Sequence, residues 1–199
     1  TLIEVTMPQY SFDIRSLAIS SQMLYYFEDQ YSFVHNLLPE IKKDVLVRLY
    51  SNDYKWNQSD RWKHHFPNIK IDHGNTSIYK LVNKSRLMIC TYAATSFNEY
   101  LALNIPVVIF WNPRYWGWHN SADDIFDELE RVGIFHKTPE TAAAHVNNIW
   151  NDIDSWWYSY EVQRVRKNFC RLFAYLPNNI IHRIKKSLND VVNESSKNT

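Results

Sequence analysis

The sequence has few cysteines and few glycines, and it has no long apolar run. It contains two cysteines, Cys90 and Cys170, and three glycines in 199 residues. Each cysteine lies inside a pattern typical of a strand or a helix, which predicts buried, reduced thiols and an intracellular setting. No apolar run reaches the roughly 18 residues of a membrane span, and no leader with a cleavage site is recognisable, so we expect a soluble, cytoplasmic chain.

The sequence also lacks excess charge, a serine-hydrolase motif and a metal-site spacing, and each absence argues against one functional class. The formal net charge is only +1, which does not favour a duplex nucleic-acid partner. No G-x-S-x-G element is present, so a serine hydrolase is not expected. The histidines have no spacing typical of a metal site, and we expect neither structural zinc nor another metal in this domain.

Short apolar runs alternate with amphipathic stretches almost to the end of the chain. The pattern predicts strands at 2–6, 44–50, 69–72, 86–91, 105–111 and 134–136. It predicts helices at 17–38, 59–66, 75–82, 96–103 and 122–132 and another that starts at 139, with an irregular loop at 8–16. This alternation predicts an α/β fold with a doubly wound, parallel, Rossmann-like sheet.

Helix patterns dominate after residue 151. We expect a Rossmann-like domain at 1–150 and helices at 156–176 and 180–192 that pack on it, with a break at Pro177. The tail is rich in basic residues: Arg164, Arg166, Lys167, Arg171, Arg183, Lys185 and Lys186. They predict either a solvated helix face or peripheral contact with an anionic membrane. Because the sequence opens on a core strand, we also expect that an amino-terminal domain precedes it.

The segment 86–106 holds the candidate site. It runs from an apolar strand through four small residues, Ala93 to Ser96, into a helix. Such a turn lets a phosphate approach the free amides at the helix start, assisted by the hydroxyls of Thr95 and Ser96. Glu99, one turn further on, is placed to accept from ribose hydroxyls. The alternative is an ordinary capping box, because Ser96 and Glu99 have the S-x-x-E spacing.

Two other features allow both a binding and a structural interpretation. Asp72 ends a predicted strand, where ligands gather in open α/β sheets, yet the Asp-His-Gly sequence from this residue is also common in turns. The aromatic residues of the loop 111–118 suit the apolar faces of sugars and bases, or the packing of a core. They are Trp111, Tyr115, Trp116 and Trp118.

The segment from about 90 to 150 resembles a known family. Its register matches G-x-x-[ST]-x-x-E-x6-P followed by an Asn-x-Ala element and a Gly, at Ala93, Ser96, Glu99, Pro106, Asn120, Ala122 and Gly133. This pattern resembles the donor-binding, carboxyl-terminal half of GT-B nucleotide-sugar glycosyltransferases. The runs TSFNEYLALNIPVVIFWNP and VGIFHKTPE further resemble a family of transferases of O-antigen and other surface-polysaccharide biosynthesis.

The resemblance implies roles for particular positions. Thr95 and Ser96 would face the donor diphosphate and Glu99 the ribose, while the loop at His119 and Asn120 would meet the donor sugar. The loop after the first strand would line the same cleft, with Met7, Gln9, Tyr10 and Ser11. Arg48, near the end of the second strand, would face the phosphates. Ala93 departs from the pattern, which has glycine there, and the Glu-x7-Glu element of many retaining members is absent.

The resulting prediction is a glycosyltransferase of surface-polysaccharide or O-antigen biosynthesis. Its partners would be a nucleotide-activated sugar and a glycan or lipid-linked acceptor, with no nucleic acid and no cofactor besides the donor. We expect it in the cytoplasm, at the inner face of the membrane if the basic tail docks there. Two alternatives are a non-catalytic nucleotide- or glycan-binding module and a nucleotide-sugar epimerase, which shares this architecture.

Overall fold

The computed structural model describes residues 1–10, 20–175 and 179–195. Within these ranges the strands are β1 (Leu2–Ile3), β2 (Leu46–Arg48), β3 (Lys70–Asp72), β4 (Met88–Cys90), β5 (Val107–Phe110) and β6 (Phe135–His136). They form one sheet in the order β3-β2-β1-β4-β5-β6, and every neighbouring pair is parallel. The predicted doubly wound, Rossmann-like sheet is confirmed.

The helices of the described ranges connect these strands and then continue beyond the sheet. They are α1 (Ser20–Asn36), α2 (Pro39–Lys42), α3 (Gln58–His65), α4 (Ile78–Val82), α5 (Thr95–Ala102), α6 (Asp123–Arg131), α7 (Pro139–Ile149), α8 (Ile153–Trp157), α9 (Tyr160–Phe173) and α10 (Ile180–Ser195). A turn of 3-10 helix, Asn120–Ala122, precedes α6. Most of the predicted loop at 8–16, the predicted start of the first helix and the break at Pro177 lie outside the described residues.

The core lies on both faces of the sheet. All four residues of β5 and all three of β4 are buried, as expected for strands covered from both sides. On one face Tyr31 of α1 packs edge-on against Trp62 of α3, with ring centres 4.9 Å apart. On the other face Phe169 of α9 lies 5.9 Å from Phe97 of α5. Because helices cover both faces of the sheet, a ligand can reach the sheet at the ends of its strands.

The carboxyl-terminal helices begin differently from the prediction. One helix was expected at 156–176, but the structure has α8 and α9 with a break at Tyr158 and Ser159. The Ser159 hydroxyl accepts a hydrogen bond from the Val162 amide at 3.4 Å and starts α9 as its N-cap. A local side-chain bond thus interrupts an otherwise continuous helical pattern.

Helix α9 contacts the end of α5 through polar groups. The buried guanidinium of Arg166 donates to the Leu101 carbonyl at 2.7 Å, and Gln163 donates to Asn104 Oδ1 at 3.0 Å. Trp157 also donates to the Asn104 carbonyl, at 3.2 Å. A cation at a helix carboxyl end satisfies orphan carbonyls and matches the sign of the helix dipole. These bonds fix α5, whose other end lies at the candidate site.

Candidate functional site

The candidate site lies at the carboxyl edge of the sheet, between the loops that follow β1 and β4. These strands are neighbours, yet the chain leaves them toward opposite ends of the sheet, which makes this position the topological switch point. Open α/β sheets bind ligands in the crevice at such a point. We call the space between the loop 4–10 and the loop 91–95 the crevice.

The base of the crevice is held by the hydroxyl of Tyr26, on α1. This oxygen accepts a hydrogen bond from the Val5 amide at 2.9 Å and lies 2.7 Å from Thr91 Oγ1. Thr91 donates its own proton to the Ile3 carbonyl at 2.9 Å, so Tyr26 is the donor to Thr91. Burial raises the pKa of Tyr26 well above its usual value and keeps the phenol neutral. The chain of bonds joins β1 to β4.

Helix α5 starts at the crevice without a side-chain cap. Its N-cap is Ala94, whose side chain cannot accept from the helix amides. The capping box is therefore wrong as a structural interpretation: Ser96 lies inside the first turn, with its hydroxyl 3.0 Å from the Tyr92 hydroxyl. Glu99 and Thr95 are exposed to solvent. The amides at the start of α5 are left for another acceptor, and an anion suits them best.

Arg48 and Asp72 are brought together at the ends of β2 and β3. The guanidinium lies 3.3 Å from Asp72 Oδ2 and donates to the Thr76 carbonyl at 2.6 Å. Asp72 also accepts from the Thr76 amide at 3.2 Å, so its carboxylate orders the turn that follows β3. Arg48 is thus oriented by two acceptors, and its side chain keeps 21% of its surface exposed.

The positive charge of Arg48 affects the pKa of Tyr92, which lies in the loop after β4. Burial raises the pKa of Tyr92, while the hydrogen bond to Ser96 and the positive charge of Arg48 oppose that rise. Arg48, Tyr92 and Ser96 therefore belong to one electrostatic environment, although the arginine does not contact the serine. The positive charge of Arg48 thus acts on a residue of the loop that precedes α5.

The loops after β1 and β2 are tied to each other. Gln9 donates to the Lys55 carbonyl at 3.0 Å, and Trp56 donates its indole proton to the Met7 carbonyl at 2.7 Å. The second loop contains three left-handed residues that are not glycine: Tyr54, Lys55 and Asn57. Such conformations persist only where surrounding contacts impose them. Tyr10 is 88% exposed, and Ser11 lies outside the described residues.

His119 and Asn120 are exposed at the start of the 3-10 turn, after β5. The Nδ1 of His119 accepts a hydrogen bond from the Ser121 amide at 3.2 Å, which caps this turn. No direct contact joins either residue to Arg48 or Ser96. The structure therefore places them at the same sheet edge but does not bring them into the Arg48–Ser96 environment.

The aromatic residues of the loop after β5 divide between the core and the surface. Trp111 and Trp116 are buried, which supports the packing interpretation for these two. Trp118 is half-buried and stacks on Phe126, with ring centres 4.1 Å apart. Tyr115 stacks on Tyr25 of α1 at 5.8 Å. Only the half-buried rings of this loop present an edge to solvent.

A buried carboxyl group beside the crevice was not predicted. Glu4 follows β1 directly and is 2% exposed; Trp62 donates to its Oε1 at 2.8 Å, and its Oε2 has no partner within the described structure. The pKa of Glu4 is raised to about 8, chiefly by burial; the Trp62 bond opposes this rise and the nearby Asp53 carboxylate adds to it. A glutamate inside the apolar run LIEVT was the sequence signal for this group.

The cavities within the described ranges include two outside the space between the loops 4–10 and 91–95. One of about 380 Å³ is at the opposite edge of the sheet, where Leu2, Leu46 and Leu87 contribute to its mostly apolar lining. The other, of about 230 Å³, is near the end of β2 and the start of α3 and is lined in part by Asp53, Gln58 and His73. The larger cavity has no link to the polar groups of the candidate site.

The helices offer no candidate for a membrane span. Over the ranges 1–10, 20–175 and 179–195, none of them has both the length and the apolar character that crossing a bilayer requires.

The fold and the crevice define the class of this protein. An all-parallel sheet in the order 3-2-1-4-5-6, with an uncapped helix start at its switch point, is typical of Rossmann-like α/β proteins that bind phosphate-bearing ligands. The model of the LIC12162 family transferase matches residues 1–188, and the chain belongs to this family of transferases. No curated protein and no solved structure matches the sequence.

Proposed function

We propose that this transferase chain is the donor-binding half of a nucleotide-sugar-dependent glycosyltransferase of surface-polysaccharide or O-antigen biosynthesis. The observation that supports this most is the start of α5. Its amides lack a side-chain cap, lie at the switch point of the sheet and follow the small residues Ala93 and Ala94. An enzyme that transfers a sugar from a nucleotide donor must bind a diphosphate, and this is the kind of group that such amides attract.

In this proposal the diphosphate lies against the amides of α5, next to the Thr95 and Ser96 hydroxyls. Arg48 adds positive charge from the end of β2, where Asp72 and the Thr76 carbonyl orient it. Glu99 is exposed one turn into α5 and accepts from the ribose hydroxyls. The donor sugar extends toward the loop of His119 and Asn120, and the loop that holds Gln9 and Tyr10 covers the opposite side.

These groups would act on the leaving group of the reaction. When the bond between the sugar and the diphosphate breaks, negative charge accumulates on the phosphate oxygens. Preoriented amides and a fixed guanidinium stabilise this charge without having to reorganise, which is how oxyanion sites lower a barrier. The proposal assigns this chain donor binding and leaving-group stabilisation, and it assigns no residue to the activation of the acceptor hydroxyl.

Calorimetry of the 199-residue chain with a nucleotide panel tests the proposal. We expect a nucleoside diphosphate and its sugar derivative to bind, and the nucleoside without phosphates to bind much more weakly. Binding of a glycan with no binding of any nucleotide would contradict the proposal and favour a non-catalytic glycan module. Appearance of an epimerised nucleotide sugar on incubation with the chain would likewise contradict it.

A pair of carboxamide variants tests the ribose contact. Glu99→Gln removes an anionic acceptor from α5, whereas Glu40→Gln makes the same change at an exposed residue of α2. Gln keeps an oxygen that can accept and loses only the charge, which is worth about 1 kcal/mol as the difference between a charged and a neutral hydrogen bond, so we expect Glu99→Gln to weaken nucleotide binding about fivefold. Glu40→Gln should leave binding unchanged. Equal effects of the two variants would exclude the proposed contact.

A further inference from the structure

The positive charge of the chain is concentrated near its carboxyl end. Residues 162–189 contain seven Lys and Arg and no Asp or Glu. The rest of the chain has 15 Lys and Arg against 21 Asp and Glu, so it is net acidic. A chain with an overall charge of +1 therefore has one strongly basic segment. Charge asymmetry of this kind is typical of a surface that meets an anionic partner.

The same segment exposes a continuous set of apolar side chains. Ile180, Ile184 and Leu188 follow one another at intervals of four along α10, and Ile181 lies on the same arc of the helix. Ile181 is 80% exposed and Leu188 63% exposed. We call Ile180, Ile181, Ile184 and Leu188 the apolar arc of α10.

The end of α9 extends this apolar surface. Leu172 and Phe173 are each about half exposed, and Tyr175 follows them with 59% of its surface in solvent. The Arg183 guanidinium of α10 lies 5.6 Å from the centre of the Tyr175 ring, a cation–π distance that joins the two helices. This contact places a cation of α10 beside the exposed aromatic residue that follows α9.

The cations lie beside the apolar arc. At 100° per residue, Arg183 falls on one side of the arc and Lys185 on the other, and Lys186 lies further round the polar face. The residues of α10 described up to position 190 are exposed, so the helix lacks the tertiary packing that normally stabilises a helix of this length. A partner is needed that covers the arc and neutralises the flanking cations.

We propose that α10, with the end of α9, docks on the surface of a bilayer that contains anionic lipids. The apolar arc would enter the boundary between headgroups and acyl chains, while Arg183 and Lys185, which flank it, contact the lipid phosphates. A second copy of the chain fits less well, because two such surfaces face to face would bring like charges together. A nucleic acid would satisfy the cations but leave the apolar arc uncovered.

Sedimentation with lipid vesicles tests this surface independently of any nucleotide binding. The chain is mixed with vesicles of phosphatidylcholine alone, or of phosphatidylcholine with phosphatidylglycerol. We expect it to sediment with the anionic vesicles, and to lose this binding as salt is raised. Equal binding to both kinds of vesicle, or to neither, would overturn the proposal.

Matched variants separate a specific surface from general charge attraction. Arg183→Glu with Lys185→Glu reverses the two cations beside the arc, and Lys63→Glu with Lys80→Glu makes the same change in net charge on exposed residues of α3 and α4. Each basic residue near an anionic membrane contributes about fivefold to binding, so we expect the first pair to weaken vesicle affinity at least about 25-fold. The second pair should change it by much less.

A third variant tests the apolar arc. Ile181→Glu with Leu188→Glu alters two exposed residues, so the fold does not depend on them, and we expect it to abolish vesicle binding. Retained binding would overturn the proposal. Light scattering after size exclusion supplies the other decisive outcome: a dimer that this variant dissociates, in a chain that ignores anionic vesicles, would assign the surface to self-association instead.

Discussion

The buried carboxyl of Glu4 makes the stability of this protein depend on pH in an unusual direction. In the folded chain burial raises the pKa of Glu4 from 4.5 to about 8. The unfolded chain loses this proton near pH 4.5, so between these values the folded state binds more protons than the unfolded state. Stability must therefore fall as the pH rises through this window.

The expected size follows from the width of the window. Each pKa unit corresponds to about 1.4 kcal/mol, so raising the pH from 4.5 to 7 removes about 3 kcal/mol through this one group. Glu4→Gln keeps an oxygen that can accept from Trp62 and removes the titration. We expect the variant to be at least as stable as the parent at pH 7, with a flatter dependence on pH.

Urea unfolding followed by tryptophan fluorescence at pH 5 and pH 7 measures this effect. Other titrating groups, such as His136 and His145, are common to both proteins and cancel in the difference between them. Glu40→Gln, at an exposed site, should keep the parent's pH dependence. If Glu4→Gln also unfolds with the parent's pH dependence, the carboxyl does not retain its proton in the folded chain and the reasoning is refuted.

Two further substitutions test the packing around the site and behind it. Tyr26→Phe leaves the Val5 amide without its acceptor and removes the hydrogen bond that Thr91 accepts, and should lower the free energy of unfolding by about 1–3 kcal/mol in denaturant titrations. Gly133→Ala forces a left-handed alanine, at φ 79°, and places its Cβ in the His145 ring, so we expect a loss of about 3 kcal/mol. A change below about 0.5 kcal/mol in either variant would contradict these contacts.

The alternation of strand and helix patterns was enough to predict the sheet, because parallel strands and their crossovers follow few topological rules. The ends of the strands were less predictable. The apolar run 2–6 was expected to be one strand, yet the β1 ladder stops at Ile3. The Val5 amide bonds instead to the Tyr26 hydroxyl, a partner 21 residues away that no local pattern reveals.

The turn that leads into α5 was predicted, but the start of the helix was not. Small residues between a buried strand and a helix correctly indicated a backbone turn at Ala93 and Ala94. Sequence alone does not determine which residue begins the first turn, and the S-x-x-E spacing suggested Ser96 as the N-cap. The helix begins at Thr95 instead, and its N-cap is Ala94, two residues before Ser96. Glu4 and Trp62 are 58 residues apart, and their bond depends on the packing of α3.

The central claim is that the first amides of α5 bind the diphosphate of a nucleotide donor. Proline at the first position of a helix removes one amide proton and keeps the helical backbone, provided that the preceding residue is extended, as Ala94 is. Thr95→Pro makes this change at the crevice. Tyr160→Pro makes it at the first position of α9, after the extended Ser159, and serves as the control.

The decisive measurement is the calorimetric affinity of these two variants for a nucleoside diphosphate, beside that of the parent chain. Loss of a hydrogen bond to a charged phosphate costs about 1.5–3 kcal/mol. We expect Thr95→Pro to bind the nucleoside diphosphate about 10- to 100-fold more weakly than the parent chain, and Tyr160→Pro to bind it with the parental affinity. Parental affinity in a folded Thr95→Pro variant would show that the start of α5 does not bind the diphosphate.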